Sequence, residues 1–385
     1  MEALELNRVG QIHHAKIDFG DLTVLVGPQA TGKSITLQLL KMLVDMGQVQ
    51  DDLRRHGLDW SGKLPSFLDL VLGEGMRAIW NDNSKITWLG RDINLDARAK
   101  RRMKAPDSGQ SEQLFFIPAQ RVLTLRDGWP RPFTDYSAGD PFAVRDFSEK
   151  LRLLMEQEFV RGDHLFPRPN RLKHVYREEL QSHIFAGYEL KVDRTRPQKR
   201  MVLGSKQGDL PFMVWSAGQR EFMPLLLGLY WLMPPGRVAR RKNLKWVVME
   251  ELEMGLHPRA ITVVLLLVLE LLSRGYKVCL SSHSPQLLEM IWALNHLKEH
   301  HVSPARLEFL FNLQSSAQLK EVFRGTLQKS IKVHYFDRGG TVRDISTLDP
   351  GSTEGFIADW GGLTDFSARA NEVVASAVSS GYRRR

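Results

Sequence analysis

The segment that most constrains this chain is Gly27-Pro28-Gln29-Ala30-Thr31-Gly32-Lys33-Ser34, in which two glycines, a lysine and a serine keep fixed offsets. It follows an apolar run at residues 22–26 and precedes a helical pattern at residues 35–44. A strand, a glycine-rich loop and a helix in this order form a phosphate-binding loop, because the loop N–H groups and the helix N-terminus attract anions. The segment therefore predicts an α/β fold with a phosphate site at a strand end.

Each residue type in this loop has an expected role. Lys33 would supply a mobile cation for the phosphates, and the Ser34 hydroxyl would hold Mg²⁺. The alternative is a glycine-rich turn that begins a helix, with Lys33 merely solvated. We expect nucleotide contacts from the loop and from the first helical turn, namely Gly27, Pro28, Gln29, Ala30, Thr31, Gly32, Lys33, Ser34 and Thr36.

Length and composition limit the class of protein. A chain of 385 residues with 43% hydrophobic content can bury a sizeable core, and we expect one large domain with an insertion. The single cysteine, Cys279, lies in an apolar run and is expected to be a buried, inert thiol. The N-terminus lacks a signal-peptide pattern, and the longest apolar run, residues 261–269, is too short to cross a bilayer. We expect a soluble, cytoplasmic protein with no membrane partner.

The formal net charge of +9 is concentrated in a few basic clusters. Such clusters can contact nucleic acid or an acidic protein, and they can equally be solvated loops that keep the protein soluble. The clusters lie at residues 100–104, 194–200, 237–245 and 383–385.

Apolar runs and helical patterns alternate along much of the chain. Residues 3–26 predict short strands with breaks at Asn7, Gly10 and Gly20-Asp21, that is, a β-hairpin that leads into a central strand. Strands alternating with helices indicate a mainly parallel sheet. Further strands are expected at residues 114–117, 201–215, 245–249 and 278–282, and further helices at residues 219–231 and 258–274.

The expected organisation has four parts. Residues 122–200 are rich in charge and contain helical patterns at 142–160 and 171–186, which predict an inserted helical subdomain. Residues 1–121 and 201–330 are then the two halves of the core, and residues 331–385 form a C-terminal cap or tail.

Paired carboxylates follow one of the predicted core strands. Glu250 and Glu251 come directly after four apolar residues, so the strand would deliver both acids to the phosphate site. Glu250 could bind Mg²⁺, and Glu251 could orient or deprotonate an attacking water. Their side chains diverge on a strand, so they cannot share one role. The alternative is an ordinary charged strand end, and Glu253 is expected to be solvated or structural.

Two more polar side chains follow predicted strands. Gln120 comes after the strand at 114–117, and ligands bind at such strand ends in α/β sheets. His283 follows the strand at 278–282, where its imidazole could hydrogen-bond a phosphate oxygen or the attacking water. The alternative for His283 is an ordinary polar residue.

The order of these motifs, with Ser216-Ala217-Gly218-Gln219 between Gln120 and Glu250, resembles the ABC-type ATPase heads of the RecF, SMC, Rad50 and OLD-like group. The resemblance implies ATP and Mg²⁺ as cofactors, with Glu251, His283 and Gln120 as catalytic residues. It makes residues 216–219 the signature motif, which contacts the γ-phosphate held by the opposite subunit. Gln120 corresponds to the Q-loop glutamine. The resemblance also implies that Gln120, Ser34 and Glu250 are the metal ligands.

The chain departs from the pattern of this group at three positions. Ala217 replaces a common glycine, Glu250 replaces the usual aspartate, and Leu252 stands where many relatives carry proline. The Glu-Glu-x-Glu-x-x-Leu-His-Pro pattern at residues 250–258 nevertheless looks most like the OLD-like branch. SMC and Rad50 proteins carry a long coiled coil, whereas residues 121–211 span only about 90 positions without sustained heptads. Nothing after His283 supplies the acidic residues of a Toprim nuclease.

The resemblance leads to one expected function and one alternative. Stand-alone OLD-like ATPases resemble the ATP-binding components of bacterial anti-phage systems such as PARIS. We therefore expect an ATPase that acts as a nucleotide-dependent oligomeric scaffold or sensor and controls a separate effector such as a Toprim nuclease. Two heads would meet head to tail across ATP, as a dimer or within a larger ring. The alternative is a RecF-like DNA-repair ATPase that binds DNA through the basic clusters.

Overall fold

The computed structural model describes residues 2–101, 111–159, 162–195, 198–235 and 240–382. Parts of all four basic clusters lie outside these ranges. In the described part of the chain, none of the helices combines the length and the hydropathy of a membrane-spanning segment.

Strands and helices are interspersed along the chain. The strands are β1 Ala3–Val9, β2 Ile12–Asp18, β3 Leu22–Val26, β4 Lys85–Trp88, β5 Arg91–Asp92, β6 Leu114–Ile117, β7 Leu125–Arg126, β8 Trp129–Pro130, β9 His164–Phe166, β10 Glu189–Asp193, β11 Arg200–Ser205, β12 Gly208–Pro211, β13 Trp246–Glu250, β14 Lys277–Ser281, β15 Ile331–Phe336 and β16 Val342–Asp344. The helices are α1 Lys33–Val44, α2 Met46–Arg55, α3 Leu64–Leu72, α4 Leu95–Arg101, α5 Phe142–Gln157, α6 His174–Leu180, α7 Ala217–Leu232, α8 Pro258–Ser273, α9 Pro285–Glu299, α10 Ala305–Leu310, α11 Ala317–Leu327, α12 Gly355–Ala358 and α13 Asp365–Tyr382.

A six-stranded sheet in the order β16-β15-β3-β14-β13-β6 forms the centre of the molecule. Five of its strands are parallel, and β16 is an antiparallel edge strand. Both faces are covered, because alternate residues of β3, β6, β13 and β14 enter two different hydrophobic clusters. This arrangement explains the continuous apolar runs in the sequence. The predicted α/β fold with a mainly parallel sheet is confirmed.

The N-terminal hairpin is also confirmed, with one difference. β1 and β2 pair antiparallel, and β4 and β5 extend them into a second sheet in the order β2-β1-β4-β5. The expected break at Asn7 is wrong, because Asn7 pairs with His14 inside the hairpin and its side-chain carbonyl lies 2.7 Å from the His14 ring. This sheet packs with α1 to α3 on one face of the central sheet.

The inserted segment contains strands as well as helices. The expected helices are present as α5 and α6, and β9 to β12 form an antiparallel sheet in the order β12-β11-β10-β9, which ends at Pro211 rather than at residue 200. The sequence at residues 189–193 alternates, so Leu190 and Val192 are buried while their neighbours face outward. A two-residue period of this kind forms a half-buried strand.

The C-terminal segment enters the central sheet instead of only capping it. β15 pairs in parallel with β3, with Val333 opposite Val24, and β16 pairs with β15. The sequence pattern concealed this strand because the polar residues Lys332 and His334 interrupt it. His334 is buried, and its Nε2 atom lies 3.0 Å from the Asp18 carbonyl oxygen.

Parallel strands place their carboxyl ends at one edge of the sheet, and this edge gathers the sequence motifs. β3 leads into residues 27–34, β6 leads to Gln120, β13 ends at Glu250, and β14 leads to His283. Glu250 pairs in register with Ser281. The chain therefore builds one candidate site from four strand ends that are far apart in sequence.

Candidate nucleotide-binding site

The loop at residues 27–34 has a conformation that only glycine allows at two positions. Gly27 has φ of 134° and Gly32 has φ of 101°. A Cβ atom at Gly27 would lie 2.2 Å from the Phe336 carbonyl oxygen, and one at Gly32 would lie 2.6 Å from Cγ1 of Ile12. The positive φ values and the lack of space both exclude a side chain. The loop is therefore held tightly between β2, β15 and the start of α1.

Lys33 folds back onto its own loop. It is 6% exposed, and its Nζ atom donates hydrogen bonds to the carbonyls of Gly27, at 2.8 Å, and Pro28, at 2.6 Å. Thr31 donates to the Pro28 carbonyl and Thr36 to the Gly32 carbonyl, each at 2.9 Å. Burial lowers the pKa of Lys33 to about 8, while the negative charge of Glu251 acts in the opposite direction. The loop thus holds the Lys33 ammonium group close to its exposed residues Gln29, Ala30 and Ser34.

Glu250 is a buried carboxylate with one unsatisfied oxygen. It is 2% exposed, its Oε2 atom accepts the Ala119 N–H at 3.1 Å, and its Oε1 atom has no hydrogen-bond partner among the described residues. Burial raises the pKa of Glu250 to about 7, and the Ala119 N–H and the Ser34 hydroxyl act against that rise. A cation bound beside this oxygen would satisfy it and would stabilise the ionised form of the carboxyl group.

The oxygen atoms around Glu250 fit Mg²⁺ better than a transition metal. Magnesium prefers a few protein oxygens together with phosphate oxygens. In the described part of the chain, no group of three or more His, Cys, Asp or Glu residues is arranged to hold a metal by itself. The Ser34 hydroxyl lies beside the Glu250 carboxylate. The exposed Gln120 side chain stays a predicted third source of oxygen.

Glu251 turns away from Glu250 and toward His283. Its backbone has φ of 44°, and its N–H donates to the Ser281 carbonyl at 3.0 Å. One carboxylate oxygen, Oε1, lies 3.8 Å from Nε2 of His283, and both side chains are partly exposed. The two adjacent acids therefore occupy different environments, but for a reason other than the expected strand geometry, because β13 ends at Glu250 and the backbone of Glu251 is left-handed. The buried one can hold a cation and the accessible one can accept a proton.

Glu253 has a structural role in the site, one of the two roles expected for it, whereas sequence reasoning missed Arg121. Glu253 accepts hydrogen bonds from the Ser282 hydroxyl, at 3.0 Å, and from the His283 N–H, so it fixes the loop that carries His283. Arg121 is fully buried behind the acids and donates to the carbonyls of Glu250 and Glu251. The only available signal was the position of Arg121 directly after Gln120.

Residues 216–219 lie at the start of α7, apart from the phosphate-binding loop of the same chain. Ser216 is the N-cap residue and forms a reciprocal pair of hydrogen bonds with Gln219, at 3.1 and 3.3 Å. Ser216 and Ala217 are exposed, and a Cβ atom at Gly218 would lie 3.1 Å from the Gly255 carbonyl oxygen. None of the hydrogen bonds or ion pairs of this segment, within the described residues, reaches residues 27–34.

The basic clusters are partly used inside the chain. In the described parts of these clusters, several arginines form ion pairs with acidic side chains of the same molecule. The pairs are Arg194 with Asp163, Arg200 with Asp193, and Arg241 with Glu158. These arginines are therefore less available for phosphates than the sequence pattern indicated.

Comparisons with known proteins place the chain in a family. A family model described as "AAA domain, putative AbiEii toxin, Type IV TA system" matches residues 22–289. No curated protein matches the chain.

Three solved structures resemble the chain at low identity. A dimeric bacterial ABC transporter cassette has 11% identity and a TM-score of 0.36, covering 89% of this chain and 97% of that one. The SMC head bound to the C-winged helix domain of ScpA has 11% identity and a TM-score of 0.39, covering 89% and 95%. The SMC head domain from Thermotoga maritima has 12% identity and a TM-score of 0.32, covering 74% and 90%. Likenesses this distant carry no functional argument.

The match to the family model, unlike these distant structural likenesses, is sufficient to assign a family, because it covers well over half of the chain. The matched range begins with β3, includes the phosphate-binding loop, and extends past His283 into α9. It therefore contains every strand end that builds the candidate site. The chain belongs to this family of AAA-domain proteins.

Proposed function

We propose that this chain binds and hydrolyses ATP, and that two or more copies associate head to tail across the nucleotide. One observation supports the proposal most strongly, namely that three groups lie around the loop at residues 27–34. They are the buried Lys33 ammonium, the Glu250 carboxylate with an unpaired oxygen, and the accessible Glu251 carboxylate beside His283. A merely structural glycine-rich turn does not require this set of groups. The choice of adenine is supported only by the resemblance to ABC-type heads.

The residues of the loop would bind the triphosphate. Lys33 would exchange its two carbonyl acceptors for phosphate oxygens, and the N-terminus of α1 would face the same charge. Glu250, Ser34 and Gln120 would hold Mg²⁺, which supplies positive charge against the phosphates when it is bound. The buried position of Glu250 excludes water from one side of this arrangement.

Glu251 and His283 would act on the attacking water. In hydrolysis, a water oxygen forms a bond to the γ-phosphorus while the bond from that phosphorus to ADP breaks. Glu251 is the accessible carboxylate and would accept the proton that the water loses. His283, 3.8 Å away, would hydrogen-bond the water or a γ-phosphate oxygen.

The position of residues 216–219 supports a second copy of the chain as the partner. This segment is exposed at a helix N-terminus but does not reach the loop of its own chain, so another copy would have to present it to the γ-phosphate. The residues just before it, Met213 and Val214, are 69% and 62% exposed, which supports an interface on this face. A closed dimer and a larger ring both satisfy such a head-to-tail contact.

The biological role that we propose is bacterial anti-phage defence in the cytoplasm. The chain would act as a nucleotide-dependent scaffold or sensor that controls a separate effector such as a Toprim nuclease. The family description names a toxin of a toxin–antitoxin system, which supports a role together with a second component. The alternative, a RecF-like DNA-repair ATPase, is favoured by the net charge of +9 but weakened by the ion pairs inside the basic clusters.

The biochemical part of the proposal is tested by two variants and two controls. Lys33→Ala should abolish binding of a fluorescent ATP analogue with Mg²⁺, and Glu251→Gln should keep binding but lower phosphate release by about 10²-fold or more. Lys206→Ala and Glu289→Gln, at exposed positions away from the loop, should behave like the parent chain. Hydrolysis by Glu251→Gln at the parental rate would disprove the assignment of the base.

The biological part needs a separate experiment. Bacteria that carry the chain with its neighbouring genes should resist phage, and Lys33→Ala should remove that protection. ATP-dependent co-purification with a neighbouring Toprim-type nuclease would support the defence role. DNA binding that falls steeply with salt and that is needed for survival of DNA damage would instead support the repair alternative.

A further inference from the structure

A buried arginine lies directly behind the two acids of the candidate site. Arg121 is 0% exposed, and its Nε atom donates to the Glu221 carbonyl at 3.1 Å. Its Nη1 atom donates to the carbonyls of Glu250, at 3.2 Å, and Glu251, at 3.3 Å, and Nη2 also donates to Glu251 at 3.3 Å. The nearest carboxylate oxygen, Oε2 of Glu221, is 3.6 Å away. The Arg121 guanidinium thus hydrogen-bonds mainly to backbone carbonyls and does not form a close ion pair.

Burying a charged guanidinium without a close carboxylate partner costs free energy. A buried guanidinium loses its hydration, and backbone carbonyls repay that loss less fully than a bidentate carboxylate does. The planar fork of arginine can, however, hold two successive carbonyls in a fixed relation, which a lysine ammonium cannot do. The two successive carbonyls here belong to the residues that would hold the metal and activate the water.

The backbone at Glu251 needs such support. Its φ of 44° lies in the left-handed region, which is unfavourable for a residue with a side chain. The Glu251 N–H is held by the Ser281 carbonyl and its carbonyl by both Nη atoms of Arg121. Hydrogen bonds on both sides of the residue therefore fix a strained turn, and this turn directs the carboxylate toward His283.

We propose that Arg121 is a positioning residue that holds Glu251 in its left-handed conformation and keeps the carboxylate in place for the attacking water. The same guanidinium bonds the Glu221 carbonyl near the start of α7, so it links this arrangement to the helix that Ser216 begins. Arg121 does not touch the substrate in this account. The inference rests on the proposed ATPase function and assigns the residue that keeps its base oriented.

The test is a double-mutant cycle with a matched control. Arg121→Lys and Arg121→Gln are each combined with Glu251→Gln, and turnover, Mg·ATP affinity and the melting temperature are measured. Arg171→Lys is the control, because Arg171 is also buried, donates to a backbone carbonyl, that of Tyr230 at 3.3 Å, and pairs with Glu158 away from the site. It should lower the melting temperature without changing turnover per folded chain.

The expected result is a selective loss of turnover. Arg121→Lys should hydrolyse ATP at least ~10-fold more slowly with affinity changed by less than about 2-fold, because a small displacement of a catalytic group costs rate rather than binding. In the Glu251→Gln background the same change should cost nothing further, since the oriented group is already absent.

Three results would overturn the inference. They are an equal loss of turnover in both backgrounds, a loss of Mg·ATP affinity that accounts for the loss of rate, and failure of both Arg121 variants to fold under conditions where Arg171→Lys folds. Absence of ATP hydrolysis by the parent chain is a different outcome, because it overturns the proposed function first and this inference with it.

Discussion

Replacing Lys41 by methionine should destabilise the chain strongly, although no residue of the candidate site changes. Lys41 lies on α1, is 2% exposed, and its Nζ atom contacts Oδ2 of Asp45 at 2.8 Å, Oε1 of Glu112 at 2.6 Å and the Leu114 carbonyl at 2.7 Å. Oδ2 of Asp146, on α5, is 3.7 Å away. One ammonium group thus joins the helix after the phosphate-binding loop to β6 and to the inserted segment.

The magnitude follows from the charges that the substitution would leave behind. Removing one partner of a buried ion pair costs about 3–5 kcal/mol, because the remaining charge stays buried without compensation. Lys150 also contacts Glu112 and Asp146, so it would compensate part of the deficit. We therefore expect a loss of about 3 kcal/mol, at the lower end of that range.

The loss of stability caused by Lys41→Met should depend on pH. Burial acts to raise the pKa of Asp146, but Lys150 and Lys41 outweigh it and hold that pKa below its usual value. A lowered carboxylate pKa stabilises the fold above the unfolded-state value of about 4, and this contribution is lost as the pH falls through the folded-state pKa. Without Lys41 the Asp146 carboxylate protonates more readily, so the loss of stability of the variant should be largest near neutral pH and smaller near pH 4.

Urea unfolding followed by tryptophan fluorescence measures this difference at the two pH values. The control is Lys16→Met, at an exposed position of β2, which should change the free energy of unfolding by less than about 0.5 kcal/mol. A Lys41→Met deficit below about 1 kcal/mol, or one of equal size at both pH values, would refute the reasoning.

Two further predictions concern the loop and the signature segment. Gly27→Ala should abolish Mg·ATP binding, because the new Cβ atom would clash with the Phe336 carbonyl, whereas Gly325→Ala, where the Cβ atom has space, should bind normally in the same titration. Ser216→Asp should keep the helix cap and the melting temperature but lower turnover, because its charge would repel the γ-phosphate. Parental turnover in Ser216→Asp would remove residues 216–219 from the mechanism.

Sequence reasoning could find the parts of the site that follow parallel strands. Residues 27–34, Gln120, Glu250 and His283 each come after an apolar run, and parallel strands bring their carboxyl ends to one edge. Local patterns therefore contained enough information for this part of the fold. The strand β15 was not predicted because His334 and Lys332 break the apolar run, and only the partner β3 explains why a histidine is buried there.

The supporting charges could not be found from the sequence, since a charged residue in a local pattern indicates an exposed surface. Arg121 is buried because it bonds carbonyls 100 and 129 positions away, and Lys41 because Glu112 lies 71 positions away. No local pattern contains such pairs. The role of Ser216 could not be found from a local pattern either, because its proposed contact lies on another copy of the chain.

The central claim, that a nucleotide joins copies of this chain, is tested most directly by sedimentation of Glu251→Gln with and without Mg·ATP. The account predicts the mass of one chain, 44.0 kDa, without nucleotide, and at least twice that mass with it. Protein saturated with Mg·ATP that still sediments at 44.0 kDa would contradict the account.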